Sequence, residues 1–347
     1  MRTTLRVFSR VLPWTLLLAG CGGDRATDSG PEGEAPAARR EAPVYGATGA
    51  EILRVVPVEI EVPQIPPGWS GMRIAAVSDL HLGQWEGNTA TARAAMERAA
   101  AERPDLVVLL GDYVVDGGRY ELLDEVLAPL RGLRVLAVLG DRDMAERSEG
   151  PDSAQIRVRE ALTRNGVEVL MNARARVSRG GDTAFVAGID PFTARRPAWR
   201  QAEIWGGIPG GPETVVVLSH MPVASVTMPT EKYPVLLGGH TFCGQVEVPG
   251  TPRLRWVNTQ IFPGTPEPDR TRIYRIRGAT VFITCGVGFG YVPVRFGAAP
   301  EVALITLRAV GGAEEESEEA DEADTVDVDS LIRQFSPADT GRAEEPS

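Results

Sequence analysis

Eight short apolar segments constrain the fold of this chain more than any other feature. Near-continuous apolar runs of this kind are typical of strands that are buried on both faces. The segments are RIAAVSD (73–79), DLVVLLGD (105–112), LRVLAVLGD (133–141), TAFVAGID (183–190), TVVVLSH (214–220), PVLLGGH (234–240), TVFITCG (280–286) and EVALITL (301–307). Helical patterns at 88–102, 120–131 and 153–165 separate the early segments. This alternation predicts an α/β fold with two packed sheets and helices outside them.

Several of these segments end in a side chain that can bind a metal. All three histidines of the chain belong to this set. The residues are Asp79, His81, Asp112, Asp141, His220 and His240. In α/β sheets ligands gather at the carboxyl ends of strands, so we expect these side chains to converge in one crevice.

Such a mixture of carboxylate and imidazole groups indicates which metals the crevice would bind. These ligands suit Zn, Mn or Fe better than Ca or Mg alone. A carboxylate that bridges two metals about 3.5–4 Å apart is typical of hydrolytic two-metal sites. Each histidine taken alone is more often an ordinary core or surface residue than a metal ligand. Their common placement at strand ends favours a metal centre.

The charge of the chain is concentrated at its C-terminus. The formal net charge is −11, and residues 311–347 alone carry thirteen acidic side chains against two arginines. The rest of the chain is therefore neutral overall, and no basic surface for nucleic acid is expected. The run EEESEEADEAD predicts an acidic, disordered tail over 311–347, for which binding of cations or a basic partner is the alternative.

The N-terminus resembles a bacterial lipoprotein signal. Arginines at positions 2, 6 and 10 precede an apolar stretch that is too short to span a membrane. The stretch ends in LAGC, which resembles a lipobox and predicts acylation of Cys21; an ordinary signal peptide or a short buried helix is the alternative. Residues 1–21 are thus predicted to be a signal, and 22–49 a flexible linker. We expect the domain to be exported and lipid-anchored in the cell envelope, on the outer membrane or the periplasmic face if the cell has two membranes.

Five short motifs follow one another along the chain: SDLHLG (78–83), GDYV (111–114), LGDRD (139–143), LSHMP (218–222) and GGHTFCGQ (238–245). In this order they resemble the motifs of the calcineurin-like metallophosphoesterases. The ending GVGFGYVPVRFG (286–297) is similar to that of the membrane-anchored bacterial branch. The resemblance covers about 58–307 and implies a two-sheet αββα sandwich, here as a single domain at 50–310.

The resemblance also implies a role for each metal-facing residue. Asp79, His81 and Asp112 match ligands of a first metal, with Asp112 bridging to a second. His220 and His240 match ligands of the second metal. Asp141 stands where the family usually has asparagine, and its carboxylate can ligate in the same place with one more negative charge.

Two further departures concern the chemistry. Arg142 stands where the family has a histidine that assists the leaving group or the phosphate; arginine stays protonated but can pair with phosphate oxygens. Phe242 stands where the family has a histidine ligand of the first metal, and phenylalanine cannot coordinate. Tyr113, Asp190 and Arg295 are candidates either for contacts around the site or for structural roles.

Two cysteines remain once Cys21 is assigned to the lipid. His240 and Cys243 have the spacing of half a zinc site, but adjacent extended side chains point in opposite directions, which disfavours a thiolate ligand. In the family the turn that contains Cys285 closes over the same end of the molecule. The resemblance therefore favours a disulfide between Cys243 and Cys285, and two unpaired buried cysteines are the alternative.

The resemblance implies a metal-dependent phosphomonoesterase or phosphodiesterase that uses a metal-activated water. The expected partners are one or two divalent metal ions and a phosphoester substrate, for which a lipid-linked ester is one option. The lipid on Cys21 is expected to bind the chain to a membrane. The losses at Arg142 and Phe242 favour an alternative, a catalytically weak or inactive lipoprotein that binds a metal or a phosphorylated ligand.

Overall fold

The computed structural model describes residues 44–45, 49–115, 119–144, 154–193, 196–208, 214–246, 272–290 and 292–310. The predicted signal (1–21), most of the predicted linker and the acidic tail (311–347) lie outside these residues. Val44 and Tyr45, which fall in the predicted linker, form a short strand, β1 (Val44–Tyr45), that pairs with β13 (Val294–Arg295). Among the described helices, none has the length and apolar character that crossing a membrane requires.

Among the described residues, the first of two large sheets has six strands and contains four of the predicted ones. In spatial order they are β2 (Arg54–Val62), β14 (Glu301–Ala309), β3 (Arg73–Val77), β4 (Leu106–Leu109), β5 (Val135–Ala137) and β6 (Glu168–Val169). Strands β3 to β6 run parallel, while β14 is antiparallel to β3 and parallel to β2.

The second sheet also has six strands and contains the other four predicted ones. In spatial order they are β11 (Ile273–Ile276), β12 (Ala279–Ile283), β10 (Val235–Gly238), β9 (Thr214–Ser219), β8 (Asp182–Ile189) and β7 (Ala173–Arg179). The four central strands are parallel, and the two edge strands are antiparallel to their neighbours. Both sheets therefore present the ends of several parallel strands at one edge.

Four α-helices are described, together with short 3₁₀ turns. The α-helices are α1 (Glu86–Ala101), α2 (Leu122–Val126), α3 (Ala154–Arg164) and α4 (Ala198–Gly207). The 3₁₀ turns include Gly49–Glu51, Pro67–Trp69, Ala128–Leu130, Pro222–Val226 and Phe242–Gly244. Helix α1 buries alanines and a methionine at helical spacing, and these small side chains allow a close approach to the first sheet.

Three buried clusters give the molecule four layers. The central cluster joins the facing sheets, with Ile74 and Leu136 from the first and Val216 and Leu237 from the second. A second cluster packs α1, α2 and α3 on the outer face of the first sheet. The third packs α4 and the turn Pro222–Val226 on the second sheet. This arrangement confirms the predicted two-sheet αββα sandwich.

Local structure differs from the sequence predictions in identifiable places. The pattern at 120–131 forms only α2 and the 3₁₀ turn Ala128–Leu130, because Pro129 lacks an N–H and clashes with the preceding turn of a continuing helix. Helix α4 was not predicted, nor was β2, in which buried and exposed residues alternate because only one face is covered towards its end.

Candidate metal centre

The candidate ligands lie beyond the ends of parallel strands in both sheets. The loops after β3, β4 and β5 supply carboxylates and one histidine from the first sheet, and those after β9 and β10 supply the other two histidines. The structure brings all six predicted side chains together in two overlapping groups: Asp79, His81 and Asp112, and Asp112, Asp141, His220 and His240. Within each group the potential ligand atoms lie within 4.8 Å of one another.

The first group has three members, all buried. His81 Nε2 lies 3.3 Å from Asp112 Oδ2 and 3.8 Å from Asp79 Oδ1. The side chains of Asp79 and His81 have no exposed surface. One imidazole nitrogen and two carboxylates thus face a common point.

The second group has four members and shares Asp112 with the first. His220 Nε2 lies 3.1 Å from Asp141 Oδ1 and 3.5 Å from Asp112 Oδ2. His240 Nδ1 lies 3.2 Å from Asp141 Oδ1 and 3.2 Å from His220 Nε2. Asp112 is therefore common to both groups of candidate ligands.

Unpartnered polar atoms test whether this pocket suits a metal. Among the described residues, eight buried side-chain nitrogen or oxygen atoms have no hydrogen-bond partner, and three of them, Asp79 Oδ1, His81 Nε2 and Asp141 Oδ1, lie together in this pocket. Burying such atoms unsatisfied is costly, and buried charges are normally paired or coordinate a metal. All three atoms belong to the candidate ligand set, and the donor chemistry fits divalent ions such as Zn, Mn or Fe.

Hydrogen bonds to the opposite ring nitrogens fix the orientation of two histidines. Gln84 donates its amide N–H to the Gly290 carbonyl, so its Oε1 faces His81 Nδ1 at 2.9 Å and accepts the ring proton. His220 Nδ1 lies 2.7 Å from the Leu110 carbonyl and donates to it. Nε2 of both rings is therefore the basic nitrogen in the neutral form and points into the centre.

Asp143 holds the loop that presents Asp112. Its buried carboxylate accepts the backbone N–H groups of Asp112 at 2.8 Å, Tyr113 at 2.9 Å and Gly140 at 2.8 Å. A Cβ at Gly140 would lie 2.1 Å from Asp112 Oδ1, so only glycine allows the two loops this close. Asp143 thus positions the carboxylate of Asp112 through the backbone.

Four of the candidate ligands adopt the left-handed region of backbone conformation. Their φ angles are 58° for Asp79, 47° for His81, 57° for Asp112 and 71° for His240. Such conformations cost on the order of 1–3 kcal/mol each and concentrate at functional sites. Contacts between the loops hold them, including the His240 N–H donated to Asp79 Oδ2 at 3.0 Å.

The close carboxylates and histidines shift one another's pKa values. Burial lowers the pKa of His81, but the carboxylates of Asp112 and Asp79 outweigh it and raise this pKa to about 9. Burial also lowers the His220 pKa, which Asp112 and Asp141 raise well above its usual value. Burial raises the pKa of Asp112, yet the two histidines bring it well below the usual range. The neighbouring carboxylates thus favour the protonated forms of His81 and His220.

Phe242 occupies the side of the first group where the resemblance implies a fourth ligand. Its ring is 3% exposed, and its centroid lies 5.0 Å from that of the His81 ring. The guanidinium of Arg295, which is also buried, lies 5.3 Å from the Phe242 ring centroid. Phe242 therefore packs against His81 and contributes no ligand atom to the centre.

Arg142 lies at the rim of the centre. Its backbone N–H donates to Asp112 Oδ1 at 3.0 Å, and its Nε lies 3.7 Å from Asp112 Oδ2. The side chain is 37% exposed, whereas Asp112 is 3% exposed. A cationic side chain thus stands between the carboxylates and solvent.

The remaining candidates have structural partners. Tyr113 Oη donates to the Leu109 and Val138 carbonyls, and burial raises its pKa well above the usual value. Arg295 donates to the carbonyls of Gly288, Cys285 and Ala298. Asp190 pairs with Arg196 at 2.5 Å and accepts the Phe192 N–H. We assign these three to the scaffold of the site.

Cys243 and Cys285 form a disulfide, as the sequence analysis favoured, with their Cα atoms 4.7 Å apart. The bond excludes Cys243 as a thiolate ligand. Sequence reasoning did not single out Gln84 or Asn88. The side chain of Asn88 donates to the His81 and Phe289 carbonyls. Their position shortly after SDLHLG, at the start of α1, was the available signal.

Comparison with known proteins assigns this arrangement to a family. Residues 72–244 match the family model of the calcineurin-like phosphoesterases. This chain carries a calcineurin-like metallophosphoesterase domain. Members of the family are hydrolases that use divalent metals, and the two groups of aspartates and histidines provide a site for such ions.

Related proteins occur in bacteria and animals. A transmembrane protein with a metallophosphoesterase domain from Danio rerio is 28% identical over 76% of this chain, which spans 60% of that protein's length. An uncharacterized metallophosphoesterase of Aquifex aeolicus is 28% identical, covering 77% of this chain and 96% of the relative. A dimetal phosphatase from Danio rerio superimposes with a TM-score of 0.38 at 13% identity, over 68% of this chain and 99% of its own.

Protons compete with a metal for His81, so the apparent metal affinity should increase with pH. Because its raised pKa is about 9, the metal-free protein keeps this proton at neutral pH, and a bound ion must displace it. For the group that contains His81, which displaces one proton, we expect the apparent affinity for Mn²⁺ to rise about tenfold per pH unit below this pKa and to level off above it. Calorimetry in buffers of different ionisation enthalpy will count the released protons. A constant affinity without proton release would contradict this expectation.

Proposed function

We propose that this domain is a metal-dependent phosphoester hydrolase of the cell envelope. The observation that carries the proposal is the pair of ligand groups that share Asp112, in which six buried or half-buried carboxylate and imidazole side chains bring their potential ligand atoms within 4.8 Å of one another in each group. Family membership supports the same chemistry at the level of phosphoester hydrolysis. A phosphomonoester or phosphodiester is the proposed substrate.

The residues of the chain would hold the ions and orient the reacting groups. Asp79, His81 and Asp112 would hold one ion, and Asp112, Asp141, His220 and His240 the other. Two such ions, when bound, would supply a water of lowered pKa and would neutralise charge on the phosphate oxygens. The hydrogen bond from His220 Nδ1 to the Leu110 carbonyl keeps Nε2 directed at the metal centre.

Arg142 is the residue that we assign to the phosphate. Its partly exposed guanidinium lies beside Asp112 and can donate two parallel hydrogen bonds to phosphate oxygens. A guanidinium does not give up a proton at neutral pH, so Arg142 would stabilise charge without acting as a general acid. Loss of a general acid typically costs 10²- to 10⁴-fold in rate. We therefore expect slow turnover that favours esters with good leaving groups.

A metal-binding protein with little or no catalysis is the second candidate function. The observation that favours it is the buried Phe242 ring, which lies against His81 in place of a fourth ligand of the first group. Under this proposal the four-ligand group binds an ion, and the three-ligand group has only a low affinity for one. A phosphorylated molecule would then be bound and not cleaved.

The location of the domain is also a proposal. The LAGC motif supports acylation of Cys21, and the disulfide supports an oxidising compartment. An anchored domain would meet phosphoesters of the envelope, among which lipid-linked esters are the substrates we propose to test first.

Substitution of the shared carboxylate should abolish activity. The full-length chain, purified in detergent with Mn²⁺ or Zn²⁺ added, should hydrolyse an aryl phosphodiester, and Asp112→Asn should lose both turnover and bound metal. The reason is that Asp112 belongs to both ligand groups. Asp124→Asn is the matched control, since Asp124 pairs with Arg164 at the surface and should leave both quantities unchanged.

The outcomes of this assay separate the two candidate functions. Turnover that disappears with Asp112→Asn supports the hydrolase. Stoichiometric metal without turnover on aryl monoesters and diesters supports the binding protein. A wild-type chain that binds no divalent metal would refute both candidate functions.

Histidine at the two divergent positions should increase the rate. Phe242→His adds a possible ligand to the three-membered group, and Arg142→His adds a titratable proton donor at the rim. We expect the double variant to exceed wild-type kcat by at least about tenfold, given the usual contribution of general acids. Metal content and kcat are measured together with an Arg134→His control, because Arg134 pairs with Glu168 away from the centre. No gain in either metal content or kcat would argue against these departures as the cause of slow turnover.

The proposed anchor predicts a fatty acid on Cys21. Cells that express the full chain and are fed labelled palmitate should incorporate label into the wild type and lose it in Cys21→Ser. The variant should also leave the membrane fraction. Equal labelling of the two proteins would refute acylation at this cysteine.

A further inference from the structure

The turn that carries His240 has an unfavourable backbone conformation. Its residues His240, Phe242, Cys243 and Gln245 have φ angles of 71°, 52°, 51° and 56°. A positive φ is uncommon for residues other than glycine and costs on the order of 1–3 kcal/mol at each position. A turn with four such residues needs external restraints to keep its shape.

His240 depends on this turn more than the other two histidines depend on theirs. The side chains of His81 and His220 are fully buried, whereas that of His240 is 34% exposed. Phe242, two residues later, packs on His81. The same turn therefore positions a ligand of the second group and the apolar neighbour of a ligand of the first.

Noncovalent restraints act at both ends of the turn. At its start, the His240 N–H donates to Asp79 Oδ2. At its end, the Gln245 side chain donates to the Val292 and Val294 carbonyls and accepts from the Gly290 N–H. Between these contacts, the covalent restraint is the bond from Cys243 to Cys285.

Cys285 is a firm attachment point for that bond. It lies 6% exposed, and its N–H donates to Glu301 Oε1 at 3.1 Å. Glu301 begins β14 in the other sheet and also pairs with Arg272 Nη1 at 2.7 Å. Beyond Cys285, the Gly288 N–H donates to the Asp79 carbonyl. The disulfide thus fastens the turn to elements of both sheets and to the segment of another ligand.

We propose that the Cys243–Cys285 disulfide is a positioning element of the metal centre, which holds His240 and Phe242 in place. This inference rests on the proposed metal-binding function. Without the bond, the turn can relax towards ordinary backbone angles, and His240 moves away from Asp141. Loss of outer-shell support typically lowers metal affinity by 10- to 100-fold, and we expect a loss of this size in the group that contains His240.

The test measures Co²⁺ binding to the full-length chain, because the visible spectrum of Co²⁺ reports ligand number and geometry. Cys243→Ser/Cys285→Ser should weaken the tighter Co²⁺ equilibrium by about 10- to 100-fold and change its spectrum. Leu162→Ala is the stability control, since Leu162 is buried on α3 outside the centre. It should lower the melting temperature and leave the spectrum and affinity unchanged.

A double-mutant cycle separates positioning from general stability. If the disulfide acts through His240, its removal in a His240→Ala background should cause little further loss of affinity. Fully additive losses would overturn the proposal, and so would unchanged Co²⁺ binding in the cysteine variant. A wild-type chain that binds no Co²⁺ would overturn the proposed function together with this inference.

Reduction of the folded wild type provides a second measurement if the cysteine variant does not fold. A water-soluble phosphine breaks the S–S bond with two electrons; the phosphine takes oxygen from water to become its oxide, and the two protons of that water complete two thiols. The Co²⁺ spectrum should change as alkylation and mass spectrometry reveal thiols at 243 and 285. An unchanged spectrum and unchanged affinity after both thiols appear would overturn the proposal.

Discussion

Three buried or half-buried carboxylates lie close together at the meeting edge of the two sheets, and their mutual repulsion is the constraint on which the surrounding structure depends. Asp112 belongs with Asp79 in one group and with Asp141 in the other, at separations within 4.8 Å. A like-charge pair at about 4 Å costs about 4 kcal/mol at an effective dielectric constant of about 20. Histidines, backbone N–H groups or metal ions must offset this cost. The loops with positive φ angles bring histidines and backbone N–H groups close to these carboxylates, where they offset the repulsion.

The sequence predicted the parts of the fold and site that follow from strand periodicity. Eight apolar segments became strands, and metal-capable residues at five of their ends met in one crevice because parallel strands finish at the same edge. The two residue groups were likewise predictable, since the order of the motifs resembles a known family. Predicting that these residues meet required no knowledge of their side-chain conformations.

Other features could not be predicted because they depend on contacts between distant residues. Gln84 orients His81 only because its own amide is fixed by the Gly290 carbonyl, about two hundred positions away in the chain. Asp143 accepts three backbone N–H groups from two loops, and nothing in the local sequence indicates which N–H groups it meets. The break at Pro129 was visible in the sequence, yet helical periodicity obscured it. Strand β2 was missed because its alternating pattern is weaker than a continuous apolar run.

The two neighbouring departures in LGDRD are best understood together. Relative to asparagine, Asp141 adds one negative charge among the ligands; relative to a neutral histidine, Arg142 adds one positive charge at the rim. Burial raises the pKa of Asp141, but His220 and His240 lower it below its usual value, so its charge persists. The guanidinium of Arg142 lies 3.7 Å from Asp112, on the solvent side of the same carboxylates. The pair therefore leaves the net charge of the motif unchanged, while it places negative charge among the candidate ligands and positive charge on the side of the solvent. Such a distribution favours retention of a cation and attraction of an anionic phosphate, even as it gives up proton transfer at this position.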